Sequence, residues 1–199
     1  MFIIDVETSG LDELKNGIIE VGALKFESPK ISYYSICRLD EDDEIDEDSL
    51  KINGQTREQV RDPNRPTQKQ ALTELFGLVE KEKDFYAAGE NVGGFDLRFI
   101  KAKTKKYLLK YPFQYRSYDL HSVASLKYEQ IFKQLPINKG KTELGLPKIL
   151  EFVGLKDERK IHNALEDCKL EAETISRIRH GKNIFSEYSA FPIPGYLKK

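Results

Sequence analysis

The sequence predicts an α/β fold: a mixed central sheet with antiparallel N-terminal strands, flanked by helices. Three observations predict it. Short apolar, β-branched runs come first, at residues 1–7, 17–26 and 32–39, with tight connections that suit an antiparallel meander. Runs with helical apolar spacing then alternate with further short strands. A chain of 199 residues, 39% hydrophobic and 33% charged, is long enough for one sizeable core, and no linker divides it.

Each element has a local reason. Residues 1–7 read as a buried strand closed by Thr8, Ser9 and Gly10, and Gly10 and Leu11 turn the chain. Residues 17–26 and 32–39 supply the next two strands, and the acidic run after them is a solvated loop. Residues 50–61 suggest a turn and a short helix that Thr56 can cap. After the break at residues 62–66, Thr67 caps a helix to residue 81, with Ala71, Leu72, Leu75 and Val79 on one face. Residues 84–88 form a short buried strand, 89–91 a turn and 92–109 a helix. Ser117, Tyr118 and Asp119 form an edge strand before a helix over residues 120–134. Residues 136–141 are a loop, and 142–153 a short helix with Pro147 near its start. A loop at 157–161 leads to a long terminal helix over 163–180. The remaining residues, 181–199, form a Pro-containing tail expected to pack on the body.

Composition narrows the function classes. The apolar runs are too short to span a membrane, and no basic region precedes an apolar one at the N-terminus, so no secretory signal is expected. Cys37 and Cys168 are too few for a disulfide framework or a Cys-rich zinc site, which points to a reducing, cytoplasmic setting. The net charge is -1, but residues 40–48 (DEDDEIDED) hold eight acids, and without them the charge becomes +7. Basic residues cluster at 101–106 and Lys110, and again at Lys139 and Lys141, and such clusters can grip a phosphate backbone. A solvated helix face accounts for such clusters as well.

Two carboxylates, Asp5 and Glu7, interrupt the apolar first strand. Side chains two apart share a face, about 7 Å from one another at a rise of about 3.3 Å per residue. Two acids on one apolar face call for a positive group between them, and a hard divalent cation is the natural one. A strand that ends at Ile4, with both acids in water, fits the pair equally. Asp96 stands at a strand-to-helix junction, where it can bind a ligand or complement a helix dipole. His162 and Asp167 are five apart, about 500° on a helix, so they cannot share a helix face. To serve one site, His162 must precede the helix, Asn163 cap it, and Asp167 lie in its second turn.

Taken together the segments are more specific. Asp5-Val6-Glu7-Thr8-Ser9-Gly10-Leu11, Asn91-Val92-Gly93-Gly94-Phe95-Asp96 and His162 to Asp167 resemble, in order and spacing, the three exonuclease motifs of the DEDDh family. That family includes proofreading subunits of bacterial DNA polymerase III. Ile52-Asn53-Gly54-Gln55-Thr56-Arg57-Glu58 and Leu144-Gly145-Leu146 resemble two of its secondary segments, so the likeness spans residues 3–175. It implies an RNase H-like fold over residues 1–180 and 3′→5′ exonuclease activity that releases nucleoside 5′-monophosphates. It implies that Asp5, Glu7, Asp96 and Asp167 bind two divalent metal ions, Mg²⁺ or Mn²⁺, and that His162 is the general base. Thr8, Leu11 and Asn91 match positions that contact substrate. The substrate is a nucleic acid 3′ end, single-stranded DNA favoured and RNA possible, with a polymerase or repair complex as candidate partner and no membrane. A sister branch places a tyrosine four residues before the last acid; Asn163 stands there instead.

The alternatives are an oligoribonuclease-like or RNase T-like exoribonuclease, or a catalytically silent nucleic-acid-binding subunit of a replication or repair complex. One departure stands out: Glu90 occupies a position that is histidine in many relatives, which puts an extra negative charge beside the substrate. Asp119 resembles a structural family segment and is not taken as a ligand. His121 and His180 read as surface residues, and Cys168 as a small buried one.

Overall fold

The site is carried by a five-stranded sheet. In the computed structural model, which describes residues 1–157 and 161–198, its central strand is β1 (Phe2–Thr8). One edge of β1 pairs antiparallel with β2 (Ile18–Lys25), which pairs antiparallel with β3 (Ser32–Ile36). The other edge pairs parallel with β4 (Ala87–Gly89), and β4 pairs parallel with the edge strand β5 (Tyr118–Asp119). The order is β3-β2-β1-β4-β5, a mixed sheet with antiparallel N-terminal strands, as the sequence predicts. β1 does not end at Ile4; it carries both of its acids.

Alternation on β1 assigns each face a layer. Phe2, Ile4 and Val6 pack with the apolar side of α2 (Gln68–Glu82) and with Leu97, Phe99 and Ile100 of α3 (Asp96–Lys106). Ile3 faces the opposite way, against Leu120 and Ala124 of α4 (Leu120–Phe132), Ile149 and Leu150 of α5 (Leu146–Phe152), and Cys168 and Ala172 of α6 (Ala164–His180). Asp5 and Glu7 share the parity of Ile3, so they look toward α6. Gly22 lies opposite Asp5 in the register. A Cβ there would stand 2.2 Å from the Ala164 carbonyl oxygen, so only glycine lets the start of α6 rest on the sheet beside that acid.

Local signals hold where they are strongest. Thr67 and Gln70 form a reciprocal capping box on α2, Asp119 caps α4 through the Ser122 amide, and Asn163 caps α6. Boundaries shift where pairing partners decide them. The third strand stops at Ile36, after which Arg38 and Leu39 bond to Pro66 and Val60 instead of β2. The strand expected over residues 84–88 is paired only at Ala87–Gly89, and the helix expected from residue 92 starts at Asp96. The loop at 136–141 contains a small hairpin, β6 (Ile137–Asn138) with β7 (Lys141–Thr142). At 50–61, where a turn and a short helix capped by Thr56 are expected, a short helix α1 (Glu47–Ile52) comes first and the capped element is a single 3₁₀ turn (Gln59–Arg61). Most of the loop expected at 157–161 lies outside the described residues.

The acidic run is not a solvated loop. Asp43 is buried and pairs with Lys103 at 2.6 Å, and its other oxygen accepts from Gln68 Nε2 at 2.6 Å. Lys106 pairs with Asp40 and Asp42, each at 2.8 Å. Arg61 donates to the Asp40 and Asp43 carbonyl oxygens. The segment therefore docks on α3 and uses two of the lysines that the sequence offers for phosphate. The tail is tied to the body as well. The fully buried Arg177 bonds Glu173 at 2.8 Å and the carbonyls of Val153, Tyr188 and Phe191, while Tyr196 stacks on Phe152. Among the described residues no helix is long and apolar enough to cross a membrane.

Removing one member of a buried ion pair strands the other charge in the interior. Asp43→Asn is expected to lower unfolding stability by about 3–5 kcal/mol, read from the urea midpoint at unchanged m-value. A variant as stable as the parent would mean that the acidic segment does not anchor α3.

Candidate active site

β1, α3 and α6 bring acids, and the residue before the α6 cap brings a histidine, to one cavity of about 240 Å³. β1 supplies Asp5 and Glu7. Asp96 is the first residue of α3, and its Oδ1 accepts the Val6 amide at 2.9 Å, which ties the helix start to the central strand. Asp167 comes from the first turn of α6, one turn earlier than the sequence suggests. His162 lies just before the Asn163 cap, with its amide bonded to the Ile52 carbonyl at 3.3 Å. The cap is itself anchored: Asn163 Nδ2 donates to Tyr34 Oη at 2.6 Å and to Glu20 at 3.3 Å. His162 Nδ1 stands 3.3 Å from Asp167 Oδ2 and 3.8 Å from Glu7 Oε1. Ligand atoms of Glu7, His162 and Asp167 lie within 4.8 Å of one another.

Every residue the sequence nominates falls at this place or beside it. Asp5, Glu7, Asp96, Asp167, His162 and Asn91 line the cavity. Thr8 and Leu11 line an adjoining one, which shares Val6, Glu7 and Phe95 with the first. Leu11 is 78% exposed there, an apolar side chain held open to solvent. Asn53 donates to the Thr8 carbonyl at 3.1 Å, so the segment at 52–56 supports this second cavity. Asn91 adopts a left-handed φ of 50° and folds its amide over Gly94, where a Cβ would come within 2.3 Å of its Oδ1. Sequence reasoning missed Glu171. It lies four residues after Asp167, on the same face of α6, and lines the same cavity. That spacing was the available signal. His121 is half-buried with an enclosed Nε2, rather than a surface residue.

The electrostatics follow from crowding. Burial, then the charges of Asp96, Glu171, Glu7 and Asp167, hold the Asp5 carboxyl well above the usual range. Burial pushes Glu7 up to about 7, helped by Asp167 and opposed by His162. Burial also pushes Asp96 up to about 7, against the lowering effect of the Val6 amide. Glu90 rises to about 7 through burial and Asp119. Asp5 Oδ2 is enclosed without a hydrogen-bond partner among the described residues. A cluster of carboxylate oxygens with one imidazole and an orphaned buried oxygen suits a hard divalent cation. The group Asp40, Asp42 and Asp43 is also within ligand spacing, but each of its acids is already paired with Lys103 or Lys106.

A family model for exonucleases, RNase T, matches residues 2–175. The chain belongs to this exonuclease family. The match bears out the DEDDh resemblance drawn from the motifs. Among curated proteins, this exonuclease is 28% identical over 181 residues to the PolC-type DNA polymerase III of Thermotoga maritima. It is 27% identical over 181 residues to that of Thermotoga petrophila. Each alignment takes 88% of this chain, and the chain spans about 11% of the length of these relatives. Among solved structures, the nuclease domain of 3′hExo, a DEDDh family member bound to rAMP, aligns with a TM-score of 0.69 at 18% identity over 92% of each chain. Escherichia coli exonuclease I in complex with a dT13 oligonucleotide aligns with a TM-score of 0.66 at 14% identity, over 90% of this chain and 41% of that one. The exonuclease therefore has the RNase H-like fold expected of it.

The raised carboxyls set a pH dependence. Their ordinary values are 3.8 for Asp and 4.5 for Glu, whereas folded Glu7 and Asp96 ionise near 7. Between those limits the folded state holds more protons than the unfolded one, so stability falls as pH rises. In EDTA the melting temperature of the exonuclease is expected to be lower at pH 8 than at pH 5.5, with a flatter slope in Glu7→Gln. Millimolar Mg²⁺ or Mn²⁺ should raise it more at pH 8, because the cation competes with protons. A metal-free melting temperature that does not fall with pH would contradict this account.

Proposed function

We propose that the protein is a metal-dependent 3′→5′ exonuclease that acts on single-stranded nucleic acid, DNA in preference, and releases nucleoside 5′-monophosphates. Asp5, Glu7, Asp96 and Asp167 hold two divalent cations, Mg²⁺ or Mn²⁺. When bound, these cations neutralise the phosphodiester charge, lower the pKa of a water and stabilise the leaving 3′-oxygen. His162 takes the proton from the attacking water, as an imidazole with a reference pKa near 6.5 can do at neutral pH. The single observation that carries the reading is His162 Nδ1 at 3.3 Å from Asp167 and 3.8 Å from Glu7, on the wall of an acid-lined cavity. Asp167 and Glu7 orient the ring and stabilise its protonated form. Thr8 and Leu11 receive the terminal nucleotide in the adjoining cavity, with Leu11 against a base, and Asn91 shapes the wall between substrate and Asp96. Lys139 and Lys141, exposed on the small hairpin, remain available to the phosphate backbone.

The relatives named as PolC-type DNA polymerases support DNA as substrate and a polymerase or repair complex as partner. Both cysteines are buried free thiols, which supports a reducing cytoplasm as the setting. The test is degradation of end-labelled single-stranded DNA and RNA of equal sequence, with Mg²⁺, Mn²⁺ or EDTA. A metal-dependent ladder that shortens from the 3′ end, faster on DNA, is expected. Asp5→Asn should abolish it, and His162→Ala should slow it by roughly 10²–10⁴-fold. Faster loss of RNA would make the protein an exoribonuclease. No degradation by metal-loaded protein would leave a nucleic-acid-binding subunit.

A further inference from the structure

We infer that Glu171 is a fifth carboxylate of the metal centre, a ligand that shares a divalent cation with Asp5. The inference rests on the function proposed above, because it needs cations in that cavity. Glu171 is 3% exposed, as deeply placed as Asp96 and Asp167 at 4% each. Its Oε1 accepts the Glu90 backbone amide at 3.1 Å, which fixes the carboxylate in place. Its Oε2 is enclosed and has no hydrogen-bond partner among the described residues.

That oxygen points to the seam where the acids meet. It lies 3.1 Å from where a Cβ on Gly89 would stand, and Ile4 O, one residue before Asp5, lies 2.9 Å from the same point. Gly89 ends the strand that pairs with β1, so Oε2 hangs over the β1–β4 boundary beside Asp5. Asp5 Oδ2 and Glu90 Oε2 are orphaned in the same cavity. An enclosed carboxylate oxygen without a donor is what a hard cation satisfies, and what an interior otherwise tolerates poorly. The charges felt by Glu171 are those of Asp96, Glu90 and Asp167, all negative. On Asp5, Glu171 acts more strongly than Glu7 or Asp167 does. The helix explains how the residue arrives: one turn separates Asp167 from Glu171, so a single face of α6 delivers both.

The test is calorimetric titration of Mn²⁺ into the metal-free full chain, with melting temperatures in EDTA and in saturating Mn²⁺. The proteins compared are the parent, Glu171→Gln, Asp5→Asn and Glu166→Gln, the last an exposed acid of the same helix paired with Lys169. Glu171→Gln should weaken Mn²⁺ binding tenfold or more and shrink the metal-induced rise in melting temperature. Its metal-free melting temperature should increase, because one buried repulsion is gone. Glu166→Gln should match the parent. If Glu171→Gln does not fold, Glu171→Asp keeps the charge but withdraws it by one methylene, and the same weakening is expected. Parent-like Mn²⁺ affinity in the folded Glu171 variant, with affinity lost in Asp5→Asn, would overturn the fifth ligand and leave the metal centre standing. A parent chain that binds no Mn²⁺ would overturn both.

Discussion

Mutual repulsion among buried carboxylates is the constraint on which the rest of the structure depends. Asp5, Glu7, Asp96, Asp167 and Glu171 face one cavity, in surroundings where each ionised oxygen is poorly solvated. Such a group holds together only on a rigid support. The support is β1, paired on both edges and covered by an apolar layer on each face. Four of the five are fixed by backbone: Asp5 and Glu7 by strand parity, Asp96 through the Val6 amide, and Glu171 through the Glu90 amide.

Elsewhere the protein matches its buried and half-buried charges. Asp43 meets Lys103, Glu173 meets Arg177, and Lys25 meets Glu82. Each of these pairs also does architectural work. The first docks the acidic segment on α3, the second closes the tail over α6, and the third joins β2 to α2. Against that background, the enclosed carboxylate oxygens in the cavity stand out because no donor among the described residues compensates them.

The functional cavity also shows how the sheet and helices divide the labour. The sheet supplies acids whose positions scarcely depend on solvent, and α6 arrives across it because Gly22 leaves room for the helix backbone. The Asn163 cap, held by Tyr34 and Glu20, sets where α6 begins and therefore where His162 stands. His162 is 44% exposed in its side chain, at the border between the acids and solvent. For the general base proposed above, that border is the fitting place, since the group must exchange its proton with water after each turnover.

Much of this was legible locally. Alternation along β1, the Thr67 capping box, the Asn163 cap and the order of acids and histidine all reside in short stretches, and short stretches carry the physics of strand parity and helix termini. What the sequence by itself determined was the fold class and the set of acids that match the family's motifs. The tertiary structure alone decided which charges are left uncompensated. Lys103 and Lys106 look available until the acidic segment folds onto them, and Glu171 looks like an ordinary helix residue until α6 lies over the β1–β4 seam. The physical reason is that a charge acquires its role from what surrounds it in space, and those surroundings come from parts of the chain that meet only on folding.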